Sequence, residues 1–245
     1  FTLSNLLAKK YSITVLAPHA HKASKSEKMG SLKVARFRYF FPEKYQKLAY
    51  GAGILPNVRN NKGLVVQIPS FILSQRSNAE KIIKSEKISL IHAHWIVPQG
   101  LIGVFLKKKY NIPLIVTIHG SDLFPLKNNL FLGIQAKVAK NADFITVNSK
   151  TAFEELVSRF PSAKSKTRII PMGTDTMQFR PKNIKGKFRK YGKNKIILFV
   201  GRLNEQKGIK YLIEAMTKVK EKIDNPKLLI IGGGGHRKIL ETIVR

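Results

Sequence analysis

Arg202 and Lys207 stand five residues apart in the stretch Arg202-Leu203-Asn204-Glu205-Gln206-Lys207-Gly208. An apolar run over 196–201 reads as a buried strand before them, and 209–219 reads as a helix after them. The two cations therefore bracket a strand-to-helix turn. Helix N-termini attract anions through free N–H groups and the macrodipole. A cation about 4 Å from an anion contributes roughly 4 kcal/mol at an effective dielectric of about 20. Two such cations suit a phosphate or diphosphate, and they could stabilise the charge on a departing diphosphate.

Four further motifs carry candidate chemistry. His119-Gly120-Ser121-Asp122 follows the apolar run 114–118, where Gly120 permits a tight turn and both His119 and Asp122 can face the strand end. The plainer reading is a capped loop, with Asp122 bonded to nearby backbone. In His92-Ala93-His94-Trp95, strand alternation would put both histidines on one face, as a metal pair needs. No cysteine or acidic cluster lies nearby to complete such a site, which favours packing and hydrogen bonding instead. Pro171-Met172-Gly173-Thr174-Asp175 reads as a turn. Gly232-Gly233-Gly234-Gly235 follows the apolar run 227–231. Such a loop lets backbone approach a phosphate, although it lacks the spacing of a dinucleotide fingerprint and reads equally as a flexible turn.

These motifs need a scaffold that delivers strand ends. Apolar runs and helical patterns alternate along the chain. Helices are predicted over 1–10, 69–84, 100–108, 128–140, 151–159, 208–220 and 236–244. Strands are predicted over 12–17, 32–37, 88–92, 114–118, 144–147, 195–201 and 227–231, and 168–171 closes the first series. Repeated β-α units favour a parallel sheet covered by helices, and open parallel sheets bind ligands at the carboxyl ends of their strands. A polar, basic stretch over 178–193 interrupts the pattern. The expected organisation is a first Rossmann-like domain over 1–178, a linker over 179–194, and the start of a second Rossmann-like domain over 195–245. The chain begins with Phe1 and stops at Arg245, each inside a predicted helix, so it reads as an internal piece of a longer protein.

Composition narrows the partners. The chain has 245 residues, no cysteine and a net charge of +31. Disulfides and thiolate metal sites are excluded, which is compatible with the cytosol. No apolar run reaches membrane-spanning length, and nothing at the start resembles a signal peptide. The charge is spread, +18 over 1–178 and +13 over 179–245, and no aromatic-basic stacking platform accompanies it. A solvated basic surface is the first reading, an anionic membrane surface the second and nucleic acid the third.

In this order the motifs resemble the family 4 retaining glycosyltransferases of the two-Rossmann-domain GT-B fold. His92-Ala93-His94-Trp95 resembles the family's H-x-H motif, and Thr117 to Asp122 its T-x-H-G-x-D motif. Pro171 to Phe179 resembles P-x-G-x-D-x-x-x-F, and Gly201-Arg202-Leu203 with Lys207-Gly208 resembles G-R-L-x-x-x-K-G. The resemblance implies a hexosyltransferase-type enzyme moving a sugar from a nucleotide-diphosphate donor to a glycan or lipid-linked acceptor. It implies Arg202 and Lys207 on the donor diphosphate, His119 against the donor sugar, Asp122 supporting its loop, and Gly232, Gly233 and Gly234 on the nucleotide side. It implies no metal or other cofactor, retention of configuration by front-face attack, and a cytoplasmic location with a peripheral position at the inner membrane face. The family's first strand and its paired glutamates would fall outside 1–245, so these residues alone are expected to transfer little or no sugar. Two alternatives remain: a metal-dependent hydrolase built on His92, His94, His119 and Asp122, and a noncatalytic basic binding protein.

Overall fold

A computed structural model describes residues 2–51, 53–180 and 194–244. It divides into two compact units, Phe1–Thr174 and Asp175–Arg245. Most of the predicted linker lies outside the described residues.

The first unit carries two sheets. In one, β1 (Thr14–Pro18) pairs in parallel with β3 (Leu32–Phe37), and β2 (Ser26–Met29) adds to the far side of β3 antiparallel. The other is wholly parallel, in the order β4 (Ile91–His94), β5 (Leu114–Ile118), β6 (Phe144–Val147), β7 (Thr167–Ile169). One face of its centre is dry, with Leu114, Val116, Ile118, Ile145 and Val147 fully buried beneath the helices. The helices are α1 (Thr2–Leu7), α2 (Ile54–Asn60), α3 (Gln67–Ser85), α4 (Leu101–Tyr110), α5 (Asn129–Asn141) and α6 (Lys150–Arg159). Two start on side-chain caps. Asn128 accepts from Phe131 N at 3.0 Å and Ser149 from Ala152 N at 3.2 Å, satisfying N–H groups that the helix cannot.

The second unit holds β8 (Lys195–Val200), α7 (Ile209–Lys220), β9 (Pro226–Ile231) and α8 (Arg237–Val244). β8 and β9 pair in parallel over six residues. Leu203, Ile209 and Leu240 form the buried centre of this unit, with Phe199, Ile213, Ile230 and Ile243 packed against them.

Four elements depart from the predicted pattern, one of them α2 (Ile54–Asn60), where no helix was predicted. The strand expected over 88–92 is displaced to Ile91–His94, because its partner β5 begins only after Pro113, which has no N–H for the ladder. That shift places both His92 and His94 on the strand. The hairpin partner β2 was missed because its sequence, Ser-Glu-Lys-Met, is polar and mostly exposed, so no alternation marks it. α1 is shorter than expected, ending at Leu7.

Candidate active site

The carboxyl ends of β4 and β5 build the first constellation. On a pleated sheet, His92 and His94 share a face, and register brings His94 opposite Thr117 and Thr117 opposite Thr146. Four polar side chains thus meet on one face. His92 Nε2 bonds Thr117 Oγ1 at 2.7 Å, and Thr117 Oγ1 bonds Thr146 Oγ1 at 2.7 Å. His119, two residues beyond Thr117, folds back so that its Nε2 lies 3.1 Å from His94 Nδ1. The three imidazoles stack: His92 on His94 at 4.4 Å between centroids, and His94 on His119 at 5.3 Å.

Burial and neighbouring rings hold His92 and His94 toward their neutral forms. Desolvation lowers the His92 pKa, and His119 lowers it further. His94 is driven down to about 4, first by desolvation and then by its neighbours His92 and His119. Both residues still expose part of their surface, so the close ring-to-ring contact is the firmer cause: a proton on one ring is repelled by its neighbours.

Asp122 holds His119 in place from below. Its Oδ1 accepts from the His119 backbone N at 2.9 Å and its Oδ2 from Ile96 N at 2.6 Å. One carboxylate therefore ties the loop after β5 to the loop after β4. Burial raises the Asp122 pKa, while these backbone donors draw it back. With 2% of its surface exposed and both oxygens in use, Asp122 acts on the loop, as the capped-loop reading expected. Gly120 permits the reversal between them: its φ is +86°, and a Cβ there would press on the Phe124 ring at 3.3 Å.

A second tier of support was missed at sequence level. Buried Gln135 on α5 donates to the carbonyls of Asp122 and Leu126, both at 3.3 Å. Arg159, at the end of α6, donates to Leu123 O at 2.9 Å and to Gln135 Oε1 at 3.1 Å, and is itself ion-paired with Glu155. A fully buried glutamine at a core-facing helical position was the available signal, because such a side chain must find partners.

The second constellation lies in the other unit. Arg202 follows β8, and Lys207 ends the short 3-10 turn Glu205–Lys207, directly before Gly208 and α7. Both are exposed, and among the described residues neither has an ion-pair partner. The glycine loop runs alongside this turn as an extension of the sheet. Gly201 N donates to Ile231 O at 3.0 Å, Leu203 N to Gly233 O at 2.9 Å, and His236 N to Leu203 O at 3.1 Å. That pairing sorts the glycines. A Cβ at Gly232 would collide with Gly201 O and one at Gly234 with Leu203 O, while Gly233 and Gly235 have open space. Bare backbone at Gly232 and Gly234 is therefore demanded by the ladder itself, and only Gly233 of the three nucleotide-side candidates faces unoccupied space. Asp175, from the proline-glycine motif, caps its own turn by accepting from Met177 N at 2.9 Å.

The histidines do not form a ligand cage. Their rings stack 27–28° from parallel instead of converging, and among the described residues no group of three or more His, Asp or Glu could hold a metal ion.

Residues 1–178 match the sequence profile of Glycosyltransferase Family 4, and residues 181–245 match that of Glycosyl transferases group 1. The chain belongs to glycosyltransferase family 4. This family 4 chain is 32% identical over 217 residues to an uncharacterised glycosyltransferase of Methanocaldococcus jannaschii, covering 87% of the chain and 56% of the relative. It is 24% identical over 188 residues to the D-inositol 3-phosphate glycosyltransferase of Corynebacterium jeikeium, covering 69% and 44%. It thus spans about half the length of the curated relatives it matches. The fold is that of GT-B enzymes. Anabaena HepE in complex with UDP superposes with a TM-score of 0.65 at 14% identity, over 96% of this chain and 65% of that one. A trehalose-6-phosphate protein from E. coli bound with UDP-2-fluoro glucose superposes with a TM-score of 0.64 at 13% identity, over 99% and 64%.

Proposed function

We propose that the protein containing this chain is a retaining glycosyltransferase of hexosyl type that uses a nucleotide-diphosphate sugar and no metal. The observation that carries the reading is the turn after β8, where exposed Arg202 and Lys207 stand without ion-pair partners beside a glycine loop. Exposed cations flanking a helix start suit a diphosphate, and they neutralise leaving-group charge as a divalent ion otherwise would. Structures of similar fold carry UDP, UDP-glucose or a fluorinated UDP-glucose, which supports a donor of this class.

In this reading Arg202 and Lys207 hold the diphosphate, and the open backbone at Gly233 lies on the nucleotide side. His119 lies against the donor sugar. Asp122 positions His119 through the backbone and does not touch substrate. The bond between the anomeric carbon and the diphosphate oxygen breaks as the acceptor oxygen bonds to that carbon from the same face. The acceptor proton passes to the departing phosphate oxygen, and configuration is retained. The acceptor is a glycan or a lipid-linked sugar.

The direct test is donor consumption by the full-length enzyme, followed by NMR of the anomeric proton in the product. A product with the donor's anomeric configuration, formed in the presence of a chelator, is expected. An inverted product or chelator-abolished transfer would overturn the reading.

A further inference from the structure

The contact between His94 Nδ1 and His119 Nε2, at 3.1 Å, needs one proton and no more. Two bare nitrogens or two N–H groups would repel each other there. Although the rings lie near parallel, their centres stand 5.3 Å apart against 3.1 Å for the nitrogens, so they meet along one edge with the proton between them. Both backbones are pinned. His94 pairs with Thr117 at the end of β4, and directly after it Trp95 N donates to Thr117 O at 2.8 Å. His119 N donates to Asp122. The sheet and its loops therefore set the separation of the two rings.

Which ring owns the proton follows from imidazole chemistry, because the bond made at one nitrogen fixes the state of the other. If His94 Nδ1 carried it, His119 Nε2 would be bare, and a neutral His119 would hold its own proton on Nδ1. Both rings would then sit in the tautomer that a free histidine disfavours. If His119 Nε2 carries it, His94 accepts at Nδ1 and both rings take the favoured Nε2–H form. The surroundings of His94 point the same way. A cationic His94 would place an N–H at Nδ1, but burial, the His92 ring at 4.4 Å and the His119 ring oppose that charge and hold its pKa at about 4. His92 does not compete for the same atom, since its Nε2 is engaged by Thr117 Oγ1, which in turn bonds Thr146 Oγ1. Among the described residues nothing bonds His119 Nδ1.

We propose that His94 is a positioning residue: it accepts from His119 Nε2–H and so leaves His119 Nδ1 as a bare acceptor for a hydroxyl of the bound sugar. A bare imidazole nitrogen takes an O–H donor and rejects a carbonyl, carboxylate or phosphate oxygen. His94 thus acts only through His119, and His92 backs it by stacking. The role of the acceptor rests on the reading that His119 lies against the donor sugar. The place of the proton is measured with no donor present, so the two can fail separately.

The test is nitrogen NMR of the full-length protein carrying histidine labelled with nitrogen-15 in the ring. At about pH 8, where a histidine of ordinary pKa is neutral, the ring shifts tell a bare nitrogen from a protonated one. His119→Gln assigns the signals of residue 119. The wild type should show His119 with Nδ1 bare and Nε2 protonated. His94→Phe removes the acceptor, and the two His119 nitrogens should move toward the averaged positions of exchanging tautomers. His94→Asn, which places a carbonyl oxygen near the site of Nδ1, should restore the wild-type signals. Kinetics use whichever of UDP-glucose, UDP-galactose and GDP-mannose the enzyme consumes. His94→Phe should raise the donor KM about threefold to tenfold, as loss of one neutral hydrogen bond predicts, and His94→Asn should raise it less. A wild-type His119 protonated at Nδ1, His119 signals unchanged in His94→Phe, or an Asn variant no better than the Phe variant would each overturn the proposal. The wild-type spectrum decides on its own if His94→Phe fails to fold.

Discussion

At the scale of single residues, the placement of His119 in its stack with His94 and His92 turns on one buried carboxylate, Asp122. Asp122 converts two loop N–H groups into a fixed geometry, so its loss should be felt in folding as well as in activity. Asp122→Ala should cost about 1–3 kcal/mol for each N–H left bare, read by chemical denaturation. Asp122→Asn, which keeps one acceptor, should cost less. The histidines make a second prediction. The folded pKa values of His92 and His94 lie below the ordinary imidazole value of 6.5, with His94 at about 4. A depressed histidine binds its proton more readily when unfolded, so stability is fully present above about 6.5 and is lost as pH falls toward about 4. Melting temperature should therefore fall between pH 7 and pH 5, and His94→Gln should flatten that fall. An unchanged slope in the variant would remove His94 from the account. Asp122 was visible in the sequence as a loop cap because its spacing from His119 suits a local turn. Its second bond, to Ile96 N, was not visible, because it joins loops 26 residues apart whose proximity is set by strand order.

At the scale of elements, the glycine loop and the β8 turn behave as one unit. The sequence suggested a phosphate-approaching loop or a flexible turn, yet the pairing of Leu203 with Gly233 shows a continued parallel ladder. Gly234→Ala should destabilise the second unit by about 1–3 kcal/mol through overpacking against Leu203 O. Gly233→Ala should leave the melting temperature unchanged and weaken only nucleotide binding. Equal melting temperatures for the two variants would contradict this division. Most of the β-α pattern was legible, because buried parallel strands such as β5 and β6 are short continuous apolar runs bounded by polar turns. β2 was not legible, since an exposed polar strand has no period to read. The start of β4 was set by Pro113 on the neighbouring strand, which a reading of β4 alone could not supply. Arg202 and Lys207 were legible as a pair, because both flank a strand-to-helix turn in one short stretch. Gln135 and Arg159 were not, because their partners are carbonyls on a distant loop.

At the scale of the whole molecule, the chain belongs to glycosyltransferase family 4, and each of its two units carries one of the constellations described above. His119 and its supports belong to the first, Arg202, Lys207 and Gly233 to the second. Among the described residues no helix is long and apolar enough to cross a membrane. The central claim is that Arg202 and Lys207 hold the donor diphosphate. It is tested most directly by calorimetric titration of UDP, ADP and GDP into the full-length protein and its Arg202→Ala and Lys207→Ala variants. At least one nucleoside diphosphate should bind the wild type. Each folded variant should bind it at least about tenfold more weakly, as loss of a cation about 4 Å from the diphosphate predicts. Variants that bind as tightly as the wild type would contradict the account.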